Sequence, residues 1–280
     1  ISLIHTEYKD LIPGLIGGCE ETTTGIIRLR AMEKDNALKY PIIAVNDNLT
    51  KHLVDNYYGT GQSTWDGILR ATNILIAGKT VVVAGYGDCG KGVALRARGM
   101  GANVIVTEIN AFRALQAKLD GFRVMKMIEA APIGDIFITV TGNKNVISTD
   151  VIKNLKSGAI LANSGHFNAE IDIEALERLK TSKKEIRAFL EEYILPPAGQ
   201  DRAVYLVSQG RLCNLGAAEG HPSEVMSLSF CGQALACKYL LDNSGKLSPG
   251  VHRLPAEIDD YISRLQLESM NIEIDSPTPE

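Results

Sequence analysis

The sequence lacks three features that would narrow its function at once: a long apolar run, an excess of basic charge and a patterned set of cysteines. No stretch free of Asp, Glu, Lys and Arg exceeds thirteen residues, the length of 225–237. A spanning helix needs roughly 20. The chain opens on Ile1 without a basic-then-apolar leader, so neither a membrane segment nor a secretory address is read from it. Lys and Arg number 29 against 33 Asp and Glu, a net charge of −4, which argues against nucleic acid as the main partner. The five cysteines, Cys19, Cys89, Cys213, Cys231 and Cys237, are odd in number and irregular in spacing. They make neither a disulfide framework nor a CxxC metal knuckle, so no metal site is expected and the thiols read as those of a reduced, cytoplasmic protein. No internal repeat or low-complexity segment is present.

What is there is a chain of 280 residues, 45% hydrophobic and 22% charged, with the balance of an ordinary globular protein. At roughly 150 residues per domain it holds just under two. Its ends are abrupt: Ile1-Ser-Leu-Ile runs straight into polar residues, and 277–280 (PTPE) follow no evident closing element. A cut at either end is expected.

From Lys79 onward the pattern alternates strands and helices. Thr80–Ala84 (TVVVA) is a short, β-branched, apolar run of the kind buried in a parallel sheet, and a helix is expected over about 91–99. Asn103–Thr107 (NVIVT) is a second strand, 111–120 a helix closed by Gly121, 135–140 a third strand and 159–162 a fourth. The alternation predicts βαβ units and a doubly wound parallel sheet, the Rossmann architecture. Over 181–210 two strands are expected, 184–195 and 203–207, around a turn at 196–199 (PPAG). Outside this core lie a helix near 25–36, a strand at 42–45 and a long apolar helix over 222–238, candidates for a second domain split around the first.

The strongest local signal is Gly85-Tyr-Gly87-Asp88-Cys89-Gly90, directly after one strand and before a helix. The first glycine permits the tight turn, the second lets a pyrophosphate approach the backbone, and the third lets helix pack on strand. The helix N-terminus then faces the phosphates. Glu108 follows the next strand, 18 residues after Gly90, where a carboxylate accepts from ribose hydroxyls and repels a 2′-phosphate. NAD is therefore favoured over NADP.

Other clusters admit two readings. Glu20-Glu21-Thr22-Thr23-Thr24-Gly25 serves as a helix cap with acidic neighbours, or offers hydroxyls to a phosphate or an amide. Lys51 and Asp55, four apart after Asn46-Asp47-Asn48, share a helix face either as a surface ion pair or, in a dry setting, as a pair that moves a proton. His166, in Asn163-Ser164-Gly165-His166-Phe167, follows the fourth strand at the edge where open α/β sheets place ligands. It is a structural histidine or a functional one. His221, flanked by Gly220 and Pro222, caps the following helix or reaches a ligand.

Together these stretches resemble the adenosylhomocysteinase (S-adenosylhomocysteine hydrolase) family. The matching motifs are EETTTG (20–25), VNDNLTKHLVDN (45–56), AGYGDCGKG (84–92), TEIN (107–110), NSGHF (163–167) and GRLCNLGAAEGHP (210–222), in the family's order and over essentially the whole chain. YGTGQSTWDG (58–67) looks more like the archaeal or thermophilic branch than the animal one. In the family's reaction the ribose 3′-OH of S-adenosylhomocysteine is transiently oxidised with tightly held NAD⁺, which acidifies the C4′ proton. Homocysteine leaves by elimination, water adds, and the ketone is reduced back with no net redox change.

The resemblance implies that Glu21, Lys51, Asp55 and His166 are catalytic and contact the ribose region, with Lys51 and Asp55 handling the 3′-OH proton. Asn46 joins them in binding substrate, and His221 holds the adenine side. The NAD site would draw on Thr22, Thr23, Thr24 and Asn56, then on Gly85, Gly87, Asp88, Cys89 and Gly90. Glu108, Arg113, Thr141 and Asn143 would extend it, and Ser164, Gly165, His166, Asn214 and His221 would complete it. Arg113 stands where many members carry an Asn that touches the cofactor ribose. The family's upstream segment, with a His and an Asp for elimination and several adenine contacts, has no counterpart here, nor does its C-terminal tail, whose Lys and Tyr reach a neighbouring subunit's NAD site. The expected organisation is an NAD-binding Rossmann domain over 57–220, with 1–56 and 221–280 as parts of a split α/β substrate domain. Such a chain would bind NAD, hydrolyse poorly unless the upstream segment is supplied, and assemble as a homo-oligomer, the family being usually tetrameric. Three alternatives remain: a non-hydrolytic NAD-binding regulatory relative, a hydrolase preferring S-inosylhomocysteine, and an ordinary NAD-dependent dehydrogenase that accumulates reduced cofactor in solution.

Overall fold

The computed structural model describes residues 1–196 and 202–276. The chain forms two compact units, one of residues Asn56–Pro222, the other of Ile1–Asp55 with the described residues from Ser223 onward.

The larger unit is built on an eight-stranded sheet. Across the sheet the strands run Arg123–Val124, Asn103–Thr107, Thr80–Ala84, Ile136–Thr139, Ala159–Asn163 and Arg202–Val207, all parallel. Leu190–Leu195 and Ser182–Arg187 follow, antiparallel, at the far edge. The central strands carry apolar residues on both faces because helices cover both. Val81, Val83, Ile136 and Ile138 enter one core, while Val82 and Phe137 enter the other, the period-two alternation of a pleated strand. The strand order turns back between Thr80–Ala84 and Ile136–Thr139, which makes the edge beyond Ala84 and Thr139 a switch point of a doubly wound sheet. The α/β parallel-sheet class expected from the sequence is the one observed.

Two local expectations need correction. The segment 181–210 holds three strands rather than two, because Ser182–Arg187 (SKKEIR) pairs as a fully exposed edge strand. Its charges protect a free sheet edge and erase the apolar signal by which strands are recognised. The turn expected at 196–199 lies, after Pro196, outside the described residues, as do 277–280. The helix expected from Lys91 begins three residues earlier, as Asp88–Gly99 with Gly87 as its N-cap, so the glycine-rich turn enters the helix without an intervening loop.

The smaller unit has a parallel three-stranded sheet in the order Gly18–Glu20, Pro41–Ala44, Gly250–His252. Ile43 and Val45 pack with Ala236, Leu240 and Leu254 on one side, and Ile42 with Leu29, Leu38 and Tyr40 on the other. Helices Thr23–Lys34, Ser223–Asp242 and Ala256–Ser269 supply these partners or their neighbours. The last helix, which the sequence pattern hides, sends Asp259 to accept the amides of Leu49 (2.8 Å) and Thr50 (3.1 Å) and so caps the short helix Leu49–Lys51. All five cysteines are free thiols, with Cys19 and Cys237 Sγ atoms 3.9 Å apart. Among the described residues no helix is long and apolar enough to cross a membrane.

Within the larger unit, helix Thr60–Thr72 lies backbone to backbone on helix Asp88–Gly99. A Cβ on Gly92 would sit 1.9 Å from the Tyr57 carbonyl oxygen, and one on Gly61 2.8 Å from the Gly92 carbonyl carbon. The indole N–H of Trp65 donates to the Val93 carbonyl across the same contact (3.1 Å). Gly92→Ala must push two backbones apart, and we expect it to cost at least about 1–3 kcal/mol, the range for overpacking. The check is a lowered urea midpoint at unchanged m-value.

Candidate functional site

The turn after Thr80–Ala84 is built from three glycines with different jobs. Gly85 has φ +100°, a conformation that L side chains rarely adopt, and its N–H donates to the Thr107 carbonyl (2.8 Å). A Cβ on Gly90 would lie 2.0 Å from the Gly85 carbonyl oxygen, so the start of the helix approaches the turn with no room for a side chain. Gly87 differs: its backbone is ordinary, and a Cβ there would meet only the Arg113 guanidinium, 3.6 Å away. The fold does not require glycine at 87; the space above it is kept for something else. Asp88 and Cys89 open the helix whose N-terminal amides point the same way.

Glu108 is fixed beside this turn. Its carboxylate accepts the amides of Tyr86 (2.7 Å), Ile109 (2.7 Å) and Asn110 (2.9 Å), which fixes its direction while leaving lone pairs for further donors. Asn110 in turn caps helix Ala111–Leu119 by accepting the Arg113 amide, bringing the Arg113 side chain over Gly87. Gly85, Gly87, Glu108, Arg113, Thr141 and Asn143 all line one cavity of about 830 Å³. A carboxylate for ribose hydroxyls, an open glycine for a pyrophosphate and a cation above it are the donor set that a dinucleotide needs.

The next two strand ends carry the other expected residues of this unit. Asn163, buried, organises the loop that presents Ser164, Gly165 and His166. Its Oδ1 accepts the Gly165 amide (2.9 Å) and the Thr139 hydroxyl (3.0 Å), and its amide nitrogen donates to the carbonyls of Phe167 (2.9 Å) and Gly210 (3.0 Å). Ser164 shares a 2.6 Å hydrogen bond with Thr64, and His166 meets the Phe167 ring edge-on. A parallel bridge of Leu212 to Asn163 brings in the 210–214 segment, where Asn214 donates to Ser63 (3.0 Å) while its buried Oδ1 has no hydrogen-bond partner among the described residues. His221 packs on Gly59, with Nε2 3.4 Å from the Thr60 hydroxyl. Asn56 is the first residue of this unit. The sequence pattern does not single out Ser63 or Thr64, whose partners lie 151 and 100 residues away, nor the ties of Asn163 to Thr139 and Gly210, 24 and 47 residues off.

In the smaller unit Lys51 and Asp55 form a buried pair, with side chains 5% and 10% exposed and Lys51 Nζ 3.3 Å from Asp55 Oδ1. This is not a surface ion pair. Nζ also donates to Asn46 Oδ1 (3.3 Å), Thr23 donates to the same atom (3.2 Å), and Ser229 donates to Asp55 Oδ2 (3.1 Å). The stretch His52–Gly59 is π-helical, a wider winding found often at functional sites. Of the three threonines, Thr22 caps the helix by accepting the Gly25 amide and donates to Glu20, Thr23 joins the Asn46 cluster, and Thr24 stands in the first turn. Glu21 Oε1 is buried without a hydrogen-bond partner among the described residues.

Residues 56–220 match the family described as S-adenosyl-L-homocysteine hydrolase, NAD binding domain. The chain belongs to the S-adenosyl-L-homocysteine hydrolase family. It is similar to the adenosylhomocysteinase of Gloeothece citriformis, 60% identical over 274 residues, covering 98% of this chain and 63% of that one. The adenosylhomocysteinase of Archaeoglobus fulgidus is 58% identical over 280 residues, covering 100% and 68%. The S-inosyl-L-homocysteine hydrolase of Methanosarcina mazei is 57% identical over 275 residues, covering 98% and 66%. The chain thus spans about two thirds of the length of these curated relatives.

NAD is accordingly the cofactor of the S-adenosyl-L-homocysteine hydrolase domain at 56–220, and the open cradle at Gly87 beside Glu108 fits it. The contrast between glycines gives a test. Gly87→Ala meets no protein atom closer than 3.6 Å, so folding should lose at most about 1 kcal/mol, the value of an N-cap. NAD affinity should fall by at least tenfold. Calorimetric titration with NAD alongside a thermal melt reads both, and unchanged affinity would refute the role given to Gly87.

Proposed function

We propose that this protein catalyses the reversible hydrolysis of S-adenosyl-L-homocysteine to adenosine and L-homocysteine through transient oxidation of the ribose. The observation that carries it is the buried Lys51–Asp55 pair with Asn46, to which Glu21 adds a buried oxygen unpaired among the described residues. In the proposed organisation 57–220 serve the cofactor and 1–56 with 221–280 serve the substrate.

Bound NAD⁺ supplies a two-electron oxidation, and later its reversal, at the 3′ carbon. Glu21 Oε1 accepts a ribose hydroxyl, which satisfies the carboxylate oxygen left without a donor among the described residues. Lys51 Nζ receives the 3′-OH proton during oxidation and returns it on reduction, while Asp55 Oδ1 and Asn46 Oδ1 hold the nitrogen in place. Ser229 fixes the other carboxylate oxygen, so Asp55 has little freedom to swing away. His166 acts on the ribose side and His221 on the adenine side. The 3′-ketone acidifies C4′–H, the homocysteine thiolate leaves from C5′, water adds to the resulting double bond, and reduction closes the cycle.

A second reading concerns the base. Relatives of nearly equal identity include both adenosylhomocysteinases and S-inosyl-L-homocysteine hydrolases, the latter also from Methanocaldococcus jannaschii at 59%. Family membership supports, within the same proposal, a homotetramer in the cytoplasm.

In the full-length protein, with the upstream segment supplied, Lys51→Ala should retain bound NAD and lower homocysteine release by about 10²- to 10⁴-fold, the span of general acid–base catalysis. Homocysteine is followed by thiol assay, with S-adenosyl- and S-inosyl-homocysteine supplied in parallel to fix the base. Loss of bound NAD in that variant would count against the role of Lys51. Reduced cofactor accumulating in solution with substrate would mark an ordinary dehydrogenase, and NAD binding by the full-length protein without homocysteine release a regulatory relative.

A further inference from the structure

Glu170 belongs to none of the candidate site residues, yet it is a carboxylate only 1% exposed. Its Oε2 accepts the amide (2.9 Å) and the hydroxyl (2.8 Å) of Thr141, and its Oε1 accepts the Gly142 amide (2.7 Å). The same Oε1 lies against Gly165, where an added Cβ would come within 1.7 Å of it. The backbone on either side repeats the tie: Asn145 N–H donates to the Ala169 carbonyl (2.8 Å), Ile147 N–H to the Glu170 carbonyl (3.0 Å), and Ile147 bridges Ile171. One side chain therefore joins the loop after Ile136–Thr139 to the loop after Ala159–Asn163. Thr141 lines the cofactor cavity, and Gly165 precedes His166.

Burying this carboxylate is costly. Burial pushes its pKa up, against the Thr141 and Gly142 donors that pull it down. An apolar side chain in such a place would often serve stability as well or better. What an apolar residue cannot do is hold two consecutive amides, a hydroxyl and a glycine in one fixed arrangement.

We propose that Glu170 is a positioning residue for the cofactor: it sets the Thr141–Gly142 turn and Gly165 at the spacing that bound NAD requires. This rests on the cofactor assignment and is independent of which thioether is hydrolysed.

The experiment compares NAD dissociation constants and urea midpoints of the wild-type protein, Glu170→Gln, Glu170→Asp and Ile152→Val. Glutamine keeps the shape but turns an N–H₂ toward an amide or hydroxyl donor, so NAD should bind about 10- to 100-fold more weakly, the equivalent of one or two unsatisfied buried groups. Aspartate keeps the charge but falls short of the turn and should weaken NAD to a similar degree. Ile152→Val, which trims the core under the same sheet, should lower the midpoint and leave NAD affinity within twofold. Unchanged affinity in Glu170→Gln would overturn the proposal, as would an equal loss in Ile152→Val, since that would mark a general effect of stability. If the glutamine variant does not fold, Glu170→Asp decides in the same way. A wild-type protein that binds no NAD would refute the cofactor assignment itself and this proposal with it.

Discussion

The larger unit depends on one close approach. Gly90 lies on the Gly85 carbonyl with no room for a Cβ, so helix Asp88–Gly99 starts directly on the end of strand Thr80–Ala84. That contact fixes where the helix amides point, and it does so at the place where the strand order turns back. From Thr80–Ala84 the strand order proceeds to Asn103–Thr107 on one side and to Ile136–Thr139 on the other, which opens a crevice at the carboxyl ends of these strands. Glu108 comes from one side and Thr141 from the other, and both line the same cavity. Had the helix been held off by even a methyl group, the amides of its first turn would no longer converge with Glu108.

The parts of this arrangement that were legible in the sequence share a property: their physical cause is local. TVVVA and NVIVT announce buried strands because both faces must be apolar, and Gly85, Gly87 and Gly90 announce a phosphate turn because the backbone conformation and clearances are set within six residues. Lys51 and Asp55 were legible as a pair, since a helical turn brings them together, but their burial was not. It arises from packing against the Ser223–Asp242 helix, and Ser229, which holds Asp55, is 174 residues away. Glu170 shows the limit most clearly. Its neighbours in sequence, Ala169 and Ile171, give no hint that it reaches back 28 and 29 residues to Gly142 and Thr141. Likewise Ser182–Arg187 is a strand only because Leu190–Leu195 offers it an edge, and Ala256–Ser269 gains its place through Asp259, which answers to Leu49 and Thr50.

Lys51, Asp55 and Glu170 share near-complete burial, and none of them is needed to close a core. A hydrophobic replacement of the Lys51–Asp55 pair would spare two desolvated charges, and one at Glu170 would spare a third. Their retention is best explained by what each does to its surroundings. Under the proposed mechanism Asp55 and Asn46 hold a nitrogen that exchanges a proton, so the pair must tolerate a change of charge state without moving. Glu170 does the opposite: every bond it makes is to a backbone amide or a hydroxyl of the chain, and its work is done by never changing partner.

The two kinds of buried charge follow from the chemistry asked of each unit. A site that moves protons needs a titratable group close to a group that stabilises its charged form, and the cost of burying both is offset by the reactivity gained. A site that holds a large cofactor through many cycles needs loops that stay at one spacing, and backbone loops have no stiffness of their own beyond their hydrogen bonds. In this protein the Thr141 side of the cavity is stiffened from behind by Glu170, which also lies against Gly165, and Asn163 ties Thr139, Phe167 and Gly210 together at the neighbouring strand ends. Both act where local sequence patterns are silent, because the distance they fix is between segments and not along one.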